Sequence, residues 1–253
     1  MSTKSESKIN LLLQNLPHGA VVLASWLVQE GYSRDLQKRY KSSHWLEAIG
    51  DGAMKRTGES IDLFGALYAL QRQSGKPIHI AGRSSLGLQG FAQNIPMRDV
   101  ETVLYTTRGI NIPLWFSNYN WNTKPLVIFS TMLPPDSGLV DFTVNSFTVK
   151  ISGLARAMME CLEMAPDRFD LTEAWQLMEG LSLLNPITVQ QLLEQCRSIK
   201  VKRLFLYFAE RADHAWFKYL QTDRIPLGSG KRSLVKDGIW ISKYQITLPE
   251  SLS

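Results

Sequence analysis

A chain of 253 residues, 44% of them apolar, is long enough to bury a core, either as one large domain or as two smaller ones. The formal net charge of +5 is unevenly distributed, because residues 1–94 carry 11 Lys and Arg against 7 Asp and Glu, whereas residues 95–253 carry 17 against 16. The first residues are polar and no run approaches about 18 apolar residues, which argues against a secretory signal and a membrane span, so we expect a cytoplasmic protein without a membrane partner.

Three short helices are predicted at the start of the chain. Apolar residues at helical spacing predict a first helix that ends before Pro17 and a second helix over residues 23–30. Gly31 can end the second helix in the left-handed conformation, and Ser33 can cap the start of the third. Two helices joined by such a short, glycine-containing turn are typical of the helix-turn-helix motif.

The third predicted helix presents a row of polar side chains on the face opposite Leu36 and Tyr40, which can pack inward. This row consists of Arg34, Gln37, Lys38 and Lys41. Arg, Gln and Lys side chains read base edges in the major groove or bind phosphates, although a solvated helix face can have the same composition. The position directly after the helix-turn-helix turn favours the interpretation as a recognition helix.

A hairpin is predicted next, in residues 44–58, where the sequence HWLEAIGDGAMKRTG turns at its GDG tripeptide. Lys55 and Arg56 lie on the returning strand, and we expect them to contact phosphates beside the groove. The order helix, helix, basic helix and basic hairpin predicts a winged helix-turn-helix. The predicted DNA-binding residues are Ser33, Arg34, Gln37, Lys38, Lys41, Ser42, His44, Lys55 and Arg56.

The rest of the chain mixes strand and helix patterns. Asp62 can cap a helix, IHI reads as a short strand, and Gly82 begins another short helix. The β-rich runs are ETVLYTT, NIPLWF, PLVIFST and LVDFTVNSFTVKIS. Further helices are predicted around residues 153–164, 171–181, 187–197 and 200–220, and a last strand in GIWISKYQITLP. We therefore expect an α+β fold, with a winged helix-turn-helix domain and helical extension over residues 1–94 and a larger mixed α+β domain over residues 95–253.

Three stretches, LYALQ, HIAGRSSLGLQG and LGSGKRSLV…GIWISKYQITLP, resemble the AbiEi family of abortive-infection antitoxins, in particular members whose N-terminal winged helix-turn-helix precedes a larger antitoxin domain. The resemblance extends over nearly the whole chain. It implies a phage-defence protein of a bacterial type IV toxin–antitoxin system, which binds double-stranded DNA at inverted repeats and represses its own operon. It also implies a second partner, a companion nucleotidyltransferase toxin of the AbiEii family, which the antitoxin counteracts directly or functionally.

The sequence lacks the usual catalytic motifs. No GxSxG, HExxH or Walker pattern occurs, and the GSGKRS stretch has Ile225 where a phosphate-binding loop needs glycine. Cys161 and Cys196 have no CxxC or Cys/His spacing that would indicate a zinc site. We therefore predict no catalytic residue, no metal site and no cofactor, and a protein that is not an enzyme.

Two alternatives stay open. A nucleic-acid-processing enzyme could be guided by the winged helix, with carboxylates around a lysine as in nucleases, although their spacing is not diagnostic. The residues in question are Asp136, Asp141, Glu160 and Lys150. A winged-helix transcription factor could instead bind a small ligand in its C-terminal domain. A basic cluster that could contact nucleic acid or an acidic partner, or simply be solvated, consists of Arg197, Lys200, Lys202 and Arg203.

Overall fold

The computed structural model describes residues 8–91 and 101–253, in which two compact units can be distinguished. The first unit comprises Met1–His79, described from Lys8, with Gly109–Pro125 and Asp141–Lys150. The second unit comprises Ile80–Arg108, of which 92–100 are not described, with Leu126–Val140 and Ile151–Ser253. The predicted division between residues 94 and 95 falls outside the described residues and stays a prediction.

Helices and strands alternate irregularly along the chain, and the fold class is α+β, as predicted. In chain order the elements are α1 (Lys8–Asn15), β1 (Val22–Leu23), α2 (Ala24–Gln29), α3 (Arg34–Ser42), β2 (Leu46–Gly50), β3 (Ala53–Arg56), α4 (Leu63–Tyr68), β4 (Ile78–Ile80), α5 (Gly82–Leu88), β5 (Glu101–Thr106), α6 (Leu114–Asn118), β6 (Lys124–Phe129), β7 (Leu139–Val144), β8 (Phe147–Ser152), α7 (Leu154–Met164), α8 (Leu171–Gly180), α9 (Pro186–Gln195), α10 (Ile199–Arg211), β9 (Arg232–Ser233), β10 (Ile239–Ile241) and β11 (Ile246–Leu248). Helix α4, which Asp62 caps as predicted, continues as a π-helical segment over Ala69–Gln73.

The N-terminal elements form the predicted winged helix-turn-helix. Within residues 8–79, three strands pair in an antiparallel sheet of order β1-β3-β2 beside α1, α2 and α3. The core of this part buries Leu12, Leu27, Tyr40, Leu46 and Leu67. Because each of these elements is too short to be stable in isolation, the shared burial of apolar side chains holds them together.

The turn between α2 and α3 has the geometry that its glycine predicts. Gly31 adopts the left-handed conformation at φ 83°, and its N–H donates to the carbonyl of Val28 at 3.1 Å. The N–H of Tyr32 donates to the carbonyl of Leu27 at 2.8 Å. This pair of bonds is a Schellman motif, which satisfies the last carbonyls of α2 and allows α3 to begin three residues later.

The hairpin β2–β3 is supported by α6 in the first unit. A Cβ added at Gly50 would lie 2.6 Å from the Cβ of Trp115, so only glycine allows this close approach. Trp115 in turn packs edge-on against Phe116, with ring centroids 5.9 Å apart. The expectation of a strand in NIPLWF is wrong, because a short apolar run does not distinguish strand from helix, and Pro113 stands at the extended position before the first helical residue.

Among the described residues, a second sheet has five strands in the order β6-β5-β4-β8-β7. Strands β4 and β8 are parallel, with Ile80 opposite Ile151. The strands predicted in IHI, ETVLYTT and PLVIFST are confirmed, and LVDFTVNSFTVKIS forms the hairpin β7–β8, which turns at Asn145 with φ 51°.

The second unit has its core around α7 and α10. Every residue of α10 from Val201 to Ala209 is buried, and α7 is buried along most of its length. Helix α10 ends at Arg211 rather than near residue 220, because Asp213 adopts the left-handed conformation at φ 50°. The single C-terminal strand that we expected is a hairpin, β10–β11, which turns at Gln245 with φ 51°.

Both cysteines are buried free thiols. No helix in the part of the chain that the structure describes combines the length and the apolar character needed to cross a bilayer.

Candidate nucleic-acid interface

Helix α3 presents cations to solvent on the side that faces away from the core. Arg34, Lys38 and Lys41 are exposed. Lys38 Nζ lies 3.9 Å from a carboxylate oxygen of Asp35, but both side chains are exposed, so this pair contributes little to stability. Arg34 and Lys41 form no ion pair with any other described residue. Their charge is therefore available to a polyanion.

The inner side of α3 is fixed by a tyrosine and a serine. Tyr40 is 7% exposed, and its ring centroid lies 6.4 Å from that of Tyr32. Burial, and secondarily the Glu30 carboxylate, raises the pKa of the Tyr32 hydroxyl, which keeps it neutral. Ser33 caps the helix as predicted, with its Oγ accepting from the N–H of Leu36 at 3.3 Å. The Ser33 hydroxyl therefore positions the helix.

Gln37 does not belong to the outward row, and this expectation is corrected. Its side chain is 3% exposed, and Nε2 donates to the carbonyl of Tyr32 at 2.9 Å and to that of Ala24 at 3.1 Å. Gln37 therefore links α3 to α2, and its amide nitrogen is engaged within the protein.

Arg56, which we expected to contact a phosphate, is engaged within the protein, and the phosphate contact stays a prediction. Its side chain is 13% exposed, and Nη2 donates to the carbonyls of Leu13 and Leu16. Nη1 lies 3.5 Å from a carboxylate oxygen of Glu59 and 3.3 Å from a ring nitrogen of His18. The guanidinium therefore satisfies the carbonyls at the end of α1, where helices leave such groups without partners.

Lys55 is also turned toward the protein. Its side chain is 15% exposed, Nζ donates to the carbonyl of Glu59 at 2.9 Å, and a carboxylate oxygen of Glu47 lies 3.6 Å away. The hairpin thus has little free positive charge, because both of its cations bind groups of the same unit. Composition alone predicts a basic wing, whereas in the structure the side chains of Lys55 and Arg56 are only 15% and 13% exposed.

A cleft of about 390 Å³ separates α3 from the hairpin turn. It is lined by Ala24, Arg34, Gln37, Lys38, Lys41, Ala48, Gly50, Asp51, Gly52, Ala53 and Met54. Three cations lie on its helix side and one carboxylate, that of Asp51, lies at the hairpin turn. The positive charge of the cleft is therefore concentrated on α3. The negative charge of Asp51, at the hairpin turn, partly offsets it.

Two further predicted residues lie at the C-terminal end of α3. Ser42 and His44 are both exposed. His44 adopts the left-handed conformation at φ 56°, and its N–H donates to the carbonyl of Lys41 at 3.1 Å. A histidine rather than a glycine at this position is uncommon, and it presents an imidazole where the helix meets the hairpin.

The sequence-based list omits two exposed residues of the same surface. Trp45 begins the hairpin with 47% of its surface exposed, and Arg39 is exposed on α3. The alternation of a half-buried strand would have identified Trp45, because Leu46 points inward and its neighbour must point outward.

In the set of the nuclease alternative, Lys150 Nζ lies 3.0 Å from a carboxylate oxygen of Asp141, but Glu160 is engaged elsewhere. Glu160 is fully buried, and its Oε1 accepts from Nε of Arg156 at 2.8 Å. Its Oε2 accepts from Oγ of Ser152 at 2.7 Å and from the N–H of Gly82 at 2.9 Å. No group of three or more His, Cys, Asp or Glu side chains that could hold a metal ion occurs in residues 8–91 and 101–253.

Family models match both halves of the sequence. One, described as "Transcriptional regulator, AbiEi antitoxin N-terminal domain", matches residues 5–97. The other, described as "Transcriptional regulator, AbiEi antitoxin, Type IV TA system", matches residues 100–249. No curated protein matched the sequence. A crystal structure of the RV2827C protein from Mycobacterium tuberculosis is similar at a TM-score of 0.58 and 16% identity, over 94% of this chain and 88% of that one, a likeness of fold alone.

Proposed function

Since this chain belongs to the AbiEi antitoxin family, which comprises transcriptional regulators of type IV toxin–antitoxin systems, we propose that it represses its own operon by inserting α3 into the major groove of promoter inverted repeats. The observation that carries this proposal is the set of exposed cations on α3, where Arg34 and Lys41 lack ion-pair partners among the described residues. As an operator-binding protein it acts in the cytoplasm.

The positions along α3 suggest different tasks for its residues. Arg34 is the first residue of the helix, and the N-terminal residues of a recognition helix contact base edges. A guanidinium there can donate two bonds to a guanine. Lys41 and Ser42 lie at the other end of α3, where we expect contacts to phosphates together with His44.

Inverted repeats require two copies of the protein with opposite orientation. A two-fold arrangement of recognition helices about 34 Å apart, or a multiple of that, matches half-sites separated by whole turns of B-DNA. The chain therefore binds its operator as a pair of copies, with one α3 in each half-site.

The first experiment measures binding to promoter DNA by fluorescence anisotropy at several salt concentrations. We expect the Arg34→Ala, Lys38→Ala, Lys41→Ala triple variant to lose at least tenfold in affinity, and the log K against log salt slope to fall by roughly one unit for each lost phosphate contact.

A matched control removes the same charge from the second unit, through Arg168→Ala, Arg197→Ala and Lys218→Ala, all of which are exposed. This control should bind almost as the wild type does. Equal losses in both triple variants would mean that net charge alone, rather than α3, determines the affinity, and the proposal would then be abandoned.

We also propose that the protein counteracts a companion nucleotidyltransferase-like toxin and that this activity does not require the cations of α3. The charge distribution supports the separation, because the basic excess lies in residues 1–94 and the remaining residues are nearly balanced. The α3 triple variant should therefore derepress the promoter but still rescue growth after toxin induction. Cell death at matched antitoxin levels, with promoter binding abolished, would show that neutralisation depends on DNA binding.

A further inference from the structure

The small C-terminal sheet has an outer face that can be identified from its register. Ile246 and Leu248 on β11 are fully buried, so their side of the strand lies against the core. Thr247 between them therefore points away from the core. Trp240 pairs with Thr247 across β10 and β11, and Ser233 pairs with Thr247 across β11 and β9. Trp240, Thr247 and Ser233 thus share the outer face.

One cation lies over the indole of this face, and others are close by in sequence. Lys231 Nζ lies 5.4 Å from the ring centroid of Trp240, whose side chain is partly exposed. Arg232 and Lys236 are exposed as well, and none of these three cations forms an ion pair with a described residue. Residues 226–249 contain four Lys and Arg against one Asp. This part of the chain is therefore strongly basic although residues 95–253 are nearly neutral.

Buried charge beneath the sheet adds to this potential. Arg203 is 1% exposed, and no carboxylate of residues 8–91 or 101–253 pairs with it. Its guanidinium donates to the carbonyls of Leu227, Gly228, Gly230 and Gln245 and to the side-chain oxygen of Gln245. Burial, and then the neighbouring Arg232, lowers the pKa of Arg203. Because buried charges are normally paired, the unneutralised guanidinium favours an anion on the nearby surface.

We propose that the outer face of the β9–β10–β11 sheet binds single-stranded RNA. An unpaired base can stack on Trp240, whereas the bases of a duplex are already stacked on one another. Lys231 and Lys236 provide positive charge for the flanking phosphates. The hydroxyl of Thr247 lies opposite Trp240 on the same face, where it can bond a ribose 2′-hydroxyl, the group that distinguishes RNA from DNA.

This site shares no residue with α3 and does not rest on the proposed operator binding. Arg203 has a positioning role in it, since three of its bonds hold the loop that leads into Lys231. The guanidinium itself is covered and does not contact the ligand.

The test is a fluorescence anisotropy titration of the full chain with a labelled oligouridylate of about 12 nucleotides, a length suited to a small single-strand site. The same titration is made with oligodeoxythymidylate and with duplex promoter DNA. We expect the RNA to bind more tightly than the single-stranded DNA. Trp240→Ala should weaken RNA binding roughly tenfold, and Trp240→Phe, which keeps a ring for stacking, should retain most of it.

Charge and aromatic controls make the assignment specific. Lys231→Ala with Lys236→Ala should reduce the salt slope by roughly 0.7 for each lost phosphate contact. Lys218 and Tyr219 form another exposed pair, with Nζ 5.2 Å from the ring centroid, so Lys218→Ala with Tyr219→Ala is the matched control and should not change RNA binding. The α3 triple variant should bind RNA normally, which separates this proposal from operator binding.

Absence of oligouridylate binding by the wild type would overturn the proposal. So would unchanged RNA affinity in a folded Trp240→Ala variant, or an equal loss of duplex DNA binding, which would assign the face to the operator. If Trp240→Ala does not fold, as judged by thermal unfolding, Trp240→Phe and the double lysine variant decide: unchanged RNA affinity and salt slope in the lysine variant refute the site.

Discussion

Helix α3 and the hairpin that follows it both carry basic residues, but only those of α3 face solvent. Arg34 and Lys41 have no ion-pair partner among the described residues, whereas Arg56 donates to carbonyls of α1 and Lys55 to the carbonyl of Glu59. A cation whose N–H groups already donate to protein oxygens has few donors left for a phosphate. The difference teaches that the presence of a basic side chain in a motif does not decide whether its donors are free, because that depends on its contacts in the fold.

The largest expected effect extends this comparison to the second unit. Arg156→Ala removes the partner of Glu160, which is fully buried, so the variant leaves a carboxylate in an apolar interior. We expect the free energy of unfolding to fall by roughly 3–5 kcal/mol, measured by urea denaturation. The exposed Arg39→Ala should change it by less than about 0.5 kcal/mol. Similar values for the two variants would contradict the distinction between structural and free cations.

A smaller loss of stability is expected for the hairpin. Arg56→Ala deprives the carbonyls of Leu13 and Leu16 of their donor, at a cost of roughly 2–3 kcal/mol in the free energy of unfolding. The salt dependence of promoter binding should not change if the variant is measured well below its unfolding temperature. A reduced slope with unaltered stability would restore Arg56 as a phosphate contact.

Gln37 lies between the exposed cations of α3 and the cations that bind protein oxygens, because it belongs to α3 but is buried. Gln37→Leu removes the donor to the carbonyls of Ala24 and Tyr32 and should lower the free energy of unfolding by roughly 1–2 kcal/mol. Specificity among promoter variants should stay the same, since the amide does not reach the bases. A change of preferred base at one operator position, seen in competition binding, would show that Gln37 turns outward on DNA.

The smallest effect concerns the carboxylate at the hairpin turn. Asp51 lies in the cleft beside the cations of α3, and its charge repels phosphates. We expect Asp51→Asn to raise promoter affinity about two- to threefold at low salt and less at high salt. Asp213→Asn, an exposed substitution in the second unit, is the control and should have no effect. Weaker binding by Asp51→Asn would mean that the carboxylate makes a favourable contact, for example with a cytosine amino group.

Much of the fold was accessible from local sequence signals. Gly31, Ser33 and Asp62 mark helix ends through their own backbone preferences or cap bonds, and the structure has the helix ends at those places. The strand in IHI and the helices near residues 154, 171 and 186 also follow from short-range patterns. The strand predicted in NIPLWF was wrong, because this apolar run has no clear periodicity. The residue that Trp115 packs against, Gly50, is also distant in sequence.

The candidate site was predicted only in part. Helical spacing predicts an outward position for Arg34, Lys38 and Lys41, and all three are exposed. Gln37 lies at the edge of that face, and spacing alone does not show that two carbonyls lie within reach of its amide. For Lys55 and Arg56 the sequence predicts the strand on which they lie but not their bonding partners. Lys55 donates to the carbonyl of Glu59, and Arg56 donates to carbonyls at the end of α1. A single sequence therefore overestimates the number of free cations.

By itself, the sequence determined the order of the winged helix-turn-helix elements, the α+β class and the basic character of α3, because caps, glycine turns and helical spacing act over a few neighbouring residues. Only the tertiary structure decided which cations remain available, because a guanidinium or ammonium group is satisfied by carbonyls and carboxylates that folding brings to it from distant positions. Arg56 with the end of α1, and Arg203 with the loop before β9, depend on such contacts. The outer face of the C-terminal sheet also depends on tertiary structure. The register between its strands places Trp240 opposite Thr247 and Thr247 opposite Ser233.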